Sequence, residues 1–83
     1  PPAIKLANTL VMLADSYGQE SAIGTAIFNV PYKDLADLSD IGIEETTKIM
    51  EKLDSKGWIK TDNSTQVMHL LNLKQLMQLA GKV

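Results

Sequence analysis

Between Val30 and Ile59 two short stretches with helical periodicity are separated only by Ser39, Asp40, Ile41 and Gly42, and an aromatic-led segment beginning at Trp58 follows at once. That is the outline of a helix-turn-helix running into a β wing. In the second stretch, Thr46, Ile49, Met50 and Leu53 recur at i, i+3, i+4 and i+7, the spacing of one buried stripe on an α-helix. The opposite face carries Ile43, Glu44, Thr47 and Lys48, continued by Glu51 and Ser55, and is assigned to solvent.

In a helix-turn-helix the N-terminal residues of the second helix face the major groove while the first helix crosses the backbone. Each exposed residue type has a partner there. Ile43 offers methyl groups to a thymine methyl, Glu44 an acceptor for cytosine N4, Thr47 a hydroxyl for base or phosphate, and Lys48 a donor for guanine O6 and N7. Glu44 and Lys48 also stand at i and i+4 in the order that makes an ordinary solvated helix pair. Their place just after a turn and opposite a clean apolar stripe favours the groove-facing role.

Asp40 in the turn is a type that tolerates the left-handed conformation, and Ile41 is the apolar plug expected between packed helices. Gly42 falls at the N-cap position and leaves the first amides of the helix without a side-chain acceptor, free to meet a phosphate. Upstream, Pro31 to Leu38 reads as the first helix of the pair, with Pro31 near its first position and Leu35, Ala36 and Leu38 facing inward. Lys33 points outward in its first turn, where it opposes the helix dipole, and is assigned to a phosphate. Lys52, further along the second helix, is assigned the same role.

Downstream, Gly57 ends the second helix, Trp58 to Thr61 reads as a strand, Asp62 to Thr65 as a polar turn, and Gln66 to Leu71 as the returning strand. Asn63 and Ser64 at the tip of this wing are further phosphate candidates, although both are common turn residues. His69 has no second ligand nearby and reads as a structural or surface histidine, not a metal ligand. The ends complete a small core. Ala3 to Tyr17 is a helix with Leu6, Leu10, Leu13 and Tyr17 on its buried face, closed by Gly18; Gln19 to Thr25 reads as a loop and Ala26 to Val30 as a strand pairing with the wing. Asn72 and Gln75 form a capping-box signature before Leu73, Leu76, Met77 and Leu79, and Gly81 closes that last helix. The methionines read as core filler.

Eighty-three residues with 45% hydrophobic content suffice for one modest core. No segment is long enough to span a membrane and no signal-peptide pattern is present. With no Cys and one His, no disulfide framework, thiolate metal site or catalytic constellation can be assembled, so no cofactor, no metal and no enzymatic activity are expected of this domain. The predicted fold class is mainly α with a small antiparallel β-sheet, a single winged helix-turn-helix over 1–83.

The runs LANTLVMLAD, VPYKDLADLSDIGIEETTKIMEKLDSKGWI and LKQLMQLAG resemble the C-terminal winged-helix domain of the Crp/Fnr family of bacterial transcription regulators. The resemblance covers nearly the whole chain. In that family a recognition helix carrying V-E-x-x-S-R reads the inner bases of each half of a palindrome. Aligned on the turn, Ile43 falls at the Val, Glu44 at the Glu, Thr47 at the Ser and Lys48 at the Arg. The resemblance implies a homodimer acting on double-stranded DNA, and the cytoplasm is the default compartment for a sequence with no spanning segment or signal-peptide pattern. The resemblance further implies an N-terminal sensor domain, absent from this fragment, that binds a cyclic nucleotide or other effector. Two departures stand out. The chain has no Arg, so the guanidinium contact falls to Lys48, a point charge of lower geometric selectivity, and Gly42 replaces the family's Ser or Thr cap. The net charge of −2 also leaves only local positive charge for phosphates. A winged helix used for protein interaction or dimerisation is therefore the alternative; an exposed apolar patch centred on Ile43 would favour it.

Overall fold

The computed structural model describes residues 1–82. In chain order the elements are α1 (Pro2–Tyr17), β1 (Gln19–Ser21), β2 (Gly24–Phe28), α2 (Tyr32–Ser39), α3 (Ile43–Ser55), β3 (Ile59–Asp62), β4 (Val67–Leu70) and α4 (Leu73–Leu79). The strands form one four-stranded sheet in the order β1-β2-β4-β3, each pair antiparallel. This is the winged helix-turn-helix expected from the sequence.

Alternation along the strands points Ile27, Ile59, Met68 and Leu70 toward the helices, where each is buried. The register sets Ile27 opposite Met68 and Ile59 opposite Leu70, so these side chains form one apolar layer. Leu6, Leu10 and Leu13 of α1, Leu35 of α2, Met50 and Leu53 of α3 and Leu76 of α4 close over it. Two buried hydroxyls tie α1 to α2: Ser39 donates to Thr9 Oγ1 at 2.8 Å, and Thr9 donates to the Lys5 carbonyl at 3.2 Å. Neither hydroxyl is left unpaired in the core, where an orphan would be costly. At the last helix Asn72 Oδ1 accepts the Gln75 amide at 3.2 Å, so Asn72 is the cap that the capping-box signature indicates.

Several sequence expectations are corrected. Gln19 to Thr25 is not a loop but a hairpin, with Ser21 opposite Gly24 across a two-residue turn. Its turn, Ala22 and Ile23, lacks the Asn-Gly or Asp-Gly signal. At Gly24 (φ +150°) a side chain would collide with the Leu70 carbonyl, so glycine alone lets β2 start this close to β4. Tyr17 is exposed because α1 ends there, beyond the packing of the core, and its ring meets Phe28 edge-on at 5.7 Å. Leu38 is exposed because it is rotated by about 100° from its neighbour Ser39, which is buried with Leu35 and Ala36. Met12 is also exposed, whereas Met50 and Met68 are core. Pro31 is the residue before α2, and its carbonyl accepts the amides of Asp34 and Leu35.

Candidate nucleic-acid interface

The turn between α2 and α3 has a backbone reason for each residue. Asp40 is left-handed (φ 56°, ψ 49°), and the following Ile41 amide reaches back to the Ala36 carbonyl at 3.1 Å. That is a Schellman ending with Asp in the position glycine usually fills. Ile41 then packs half-buried against the core, which fixes where α3 begins. Gly42 is extended (φ −71°, ψ 156°) and makes no side-chain cap, so the first amides of α3 have no internal acceptor, while Glu44 and Glu45 complement the helix dipole. The same ending recurs at the far end of α3. Gly57 (φ +76°) lets the Trp58 amide return to Leu53 O at 3.0 Å and turns the chain into the wing.

Thr46, Met50 and Leu53 are buried and Ile49 packs half-buried against the core, so the predicted stripe is the one that anchors α3. On the opposite side Ile43, Glu44, Thr47 and Lys48 come together, joined by Glu51, around one shallow depression of about 330 Å³. Their hydrogen bonding sharpens the chemistry. The Thr47 hydroxyl donates to the Ile43 carbonyl at 2.9 Å and the Ser55 hydroxyl to the Glu51 carbonyl at 3.0 Å, as the buried Thr46 does to Gly42 at 3.0 Å. Thr47 therefore presents an acceptor oxygen and a methyl group. Among the side chains of the depression, only Lys48 has unengaged protons to donate. Glu44 and Glu51 can accept from cytosine N4 or adenine N6, and Ile43, 48% exposed, offers methyls.

The phosphate candidates are dispersed. Lys33 is exposed in the first turn of α2. Lys52 lies apart from the depression, lining a separate hollow of about 310 Å³ with Lys56 and Trp58, where Lys56 Nζ sits 5.3 Å from the centre of the Trp58 ring. At the wing tip Ser64 donates both its amide, at 3.0 Å, and its hydroxyl, at 2.7 Å, to Asp62 Oδ1, and the Thr65 amide joins them at 3.4 Å. These bonds, the Ser64 hydroxyl foremost, hold the Asp62 carboxyl below its ordinary value. Asn63 is engaged within the tip: its Oδ1 accepts from Asn29 at 3.5 Å and its carbonyl from Gln66 at 2.7 Å. Asp62 was legible only as a turn residue, since nothing in its spacing shows that it would collect the tip's donors. Partial burial, and then the carboxylates of Asp54 and Glu51, push the Tyr32 hydroxyl up from its usual value.

Residues 4–79 match the Crp-like helix-turn-helix domain. The chain belongs to that family. The Crp-like domain is the DNA-binding part of CRP/FNR transcription regulators, so its role is recognition and not catalysis. Among solved structures, a CRP-family transcriptional regulator of Thermus thermophilus, TTHB099, is similar at 26% identity with a TM-score of 0.84, over 98% of this chain and 40% of that one. A CRP/FNR-family regulator of the same organism, TTHA1359, matches at 24% identity and TM-score 0.79, over 95% and 40%. The CO-dependent transcription factor CooA of Carboxydothermus hydrogenoformans shares the fold at 16% identity and TM-score 0.84, over 94% and 36%. The Crp-like chain thus spans about 40% of the length of the Thermus regulators. No curated protein sequence matches it significantly. Among the described residues no helix is long and apolar enough to cross a membrane, and no group of three or more His, Cys, Asp or Glu is placed to hold a metal ion.

Proposed function

We propose that this Crp-like domain reads DNA sequence as one half of a homodimeric regulator in the cytoplasm, with α3 in the major groove and an effector-binding sensor domain preceding it in the full protein. The observation that carries this reading is the gathering of Ile43, Glu44, Thr47 and Lys48 around one depression at the uncapped start of α3. Lys48 donates to guanine O6 or N7, Glu44 accepts from the cytosine N4 of that pair, and the methyls of Ile43 and Thr47 lie against thymine. By the family resemblance the half-sites contain a TGA-like core, set about one helical turn apart on a near-palindrome. Lys33 and Lys52 neutralise phosphates on either side. Asn63 and Ser64 reach the backbone only by loosening their bonds within the wing tip. Dimerisation through this depression is not favoured, because Ile43 is its single large apolar side chain and charged groups surround it.

The test is fluorescence anisotropy of the domain fused to a neutral dimeriser, against duplexes with and without TGA-containing palindromes, across a salt series. Preference for the palindrome with steep weakening as salt rises is the expected result. Equal affinity for both duplexes, or no binding at low salt, would overturn it.

A further inference from the structure

A cluster of exposed apolar side chains lies away from the α3 depression. Met12 and Tyr17 of α1, Phe28 at the end of β2 and Leu38 of α2 are 49%, 60%, 54% and 55% exposed, and all border one open groove of about 560 Å³ with Leu13 and Val30 beneath. Among the described residues they are four of the seven large hydrophobic residues left exposed. A cluster of that kind is a mark of an interaction surface, unlike apolar residues scattered singly. The charged residues on the groove's border are Asp34 and Asp37, both exposed and both acidic, with no lysine among the lining residues. Carboxylates there repel a phosphate backbone, and no residue is shared between this groove and the α3 depression.

We propose that the α1–α2 groove docks a basic amphipathic helix of a partner protein, whose apolar side chains rest on Met12, Tyr17, Phe28 and Leu38 while its Lys or Arg side chains meet Asp34 and Asp37. The charge pattern selects this occupant, and helix-in-groove recognition supplies the geometry. A small ligand fits less well. Such ligands are mostly enclosed by their sites and oriented by convergent polar groups, whereas this groove is open and its carboxylates stand at the rim. Docking here leaves α3 free for DNA.

The probe is a synthetic helical peptide with Leu and Lys at amphipathic spacing, titrated into the isotope-labelled chain and followed by NMR. A matched peptide with Glu in place of every Lys is the control. Shifts centred on Met12, Tyr17, Phe28 and Leu38 are expected with the Lys peptide, and none with the Glu peptide. Leu38→Ser, and separately Asp34→Asn with Asp37→Asn, should each weaken the Lys peptide by roughly tenfold, since groove anchors and paired charges carry most of such an interface. Because these side chains are exposed, melting temperature should hold, and Leu38→Ser should leave DNA anisotropy unchanged, which separates this inference from the DNA-reading one. Shifts centred on Glu44 and Glu51, or equal binding of the Glu peptide, would overturn it. So would self-association in sedimentation that Leu38→Ser abolishes, since the occupant would then be a second copy.

Discussion

Two parts of the molecule are candidates to touch DNA, and they are held in place by opposite means. α3 is fixed from behind: Thr46, Met50 and Leu53 lie in the core, so its outer residues are presented on a rigid rod with Lys48 free to donate. The wing tip is fixed by itself. Asn63, Ser64 and Thr65 project beyond the sheet and are ordered by bonds to Asp62, Asn29 and Gln66. Preorganised recognition thus depends on the shared core in one region and on a local polar network in the other. The difference also fixes what a substitution can disturb.

The largest expected effect comes from removing the backing of α3. Met50 is fully buried, so Met50→Ala should cost about 2–5 kcal/mol of stability, the usual range for truncating a buried methionine. Denaturant unfolding checks it, and a loss below that range would show that α3 leans on the core less than its buried stripe indicates. Next is the exposed side. Lys48→Ala should leave unfolding unchanged and weaken binding to the preferred palindrome by about 1–3 kcal/mol, with little effect on unrelated duplexes. A Lys48→Ala domain that keeps its full preference would move sequence reading elsewhere.

Both faces of α3 were legible because a helix repeats, and a repeat separates core from surface without knowledge of the partners. The Asp40 turn and the Gly57 ending were legible for the same kind of reason, a backbone angle that few residues accept. Other features depend on chain segments distant in sequence. The β1–β2 hairpin is polar and short, with no hairpin dipeptide, and exists because Gly24 lets β2 pair with β4. Tyr17, Leu38 and Met12 look like core in composition, yet the groove they border is assembled from α1, β2 and α2 together. The helix-turn-helix and its wing were read from periodicity and turn residues, and the family resemblance added the dimeric, palindrome-reading context. The donor count of the α3 depression came only from the side-chain geometry, in which Thr47 turns its proton back to Ile43.

The wing tip gives smaller effects. Asp62→Asn removes a carboxylate from the tip and loosens the grip on Ser64, so affinity should rise by about twofold to fivefold for all duplexes alike, within the range of an exposed charge. Anisotropy on matched and unmatched DNA checks it; a gain confined to the palindrome would make the wing a reader of sequence and dissolve the contrast with α3. Smaller still is Thr47→Val on α3. It keeps the branched shape and deletes only a hydroxyl whose proton is already engaged, so binding should change by less than about 0.5 kcal/mol. A larger loss would mean that the hydroxyl rotates toward a base in the complex.

The last effect is confined to the tip and is read by pH. Bonds from Ser64 and Thr65 favour the ionised carboxyl of Asp62, so its folded pKa lies below the ordinary value of an aspartate. With the folded value depressed, the contribution of these bonds is complete above the unfolded pKa and is lost as pH falls through the folded one. The Ser64 and Thr65 amides should therefore move in one NMR step whose midpoint lies below that of an ordinary aspartate, while the amides of α3 show no step at that midpoint. In Asp62→Asn that step should vanish. If the α3 amides moved in the same step, the wing and the recognition helix would be one cooperative unit, and the separation between core-held and self-held regions would fail.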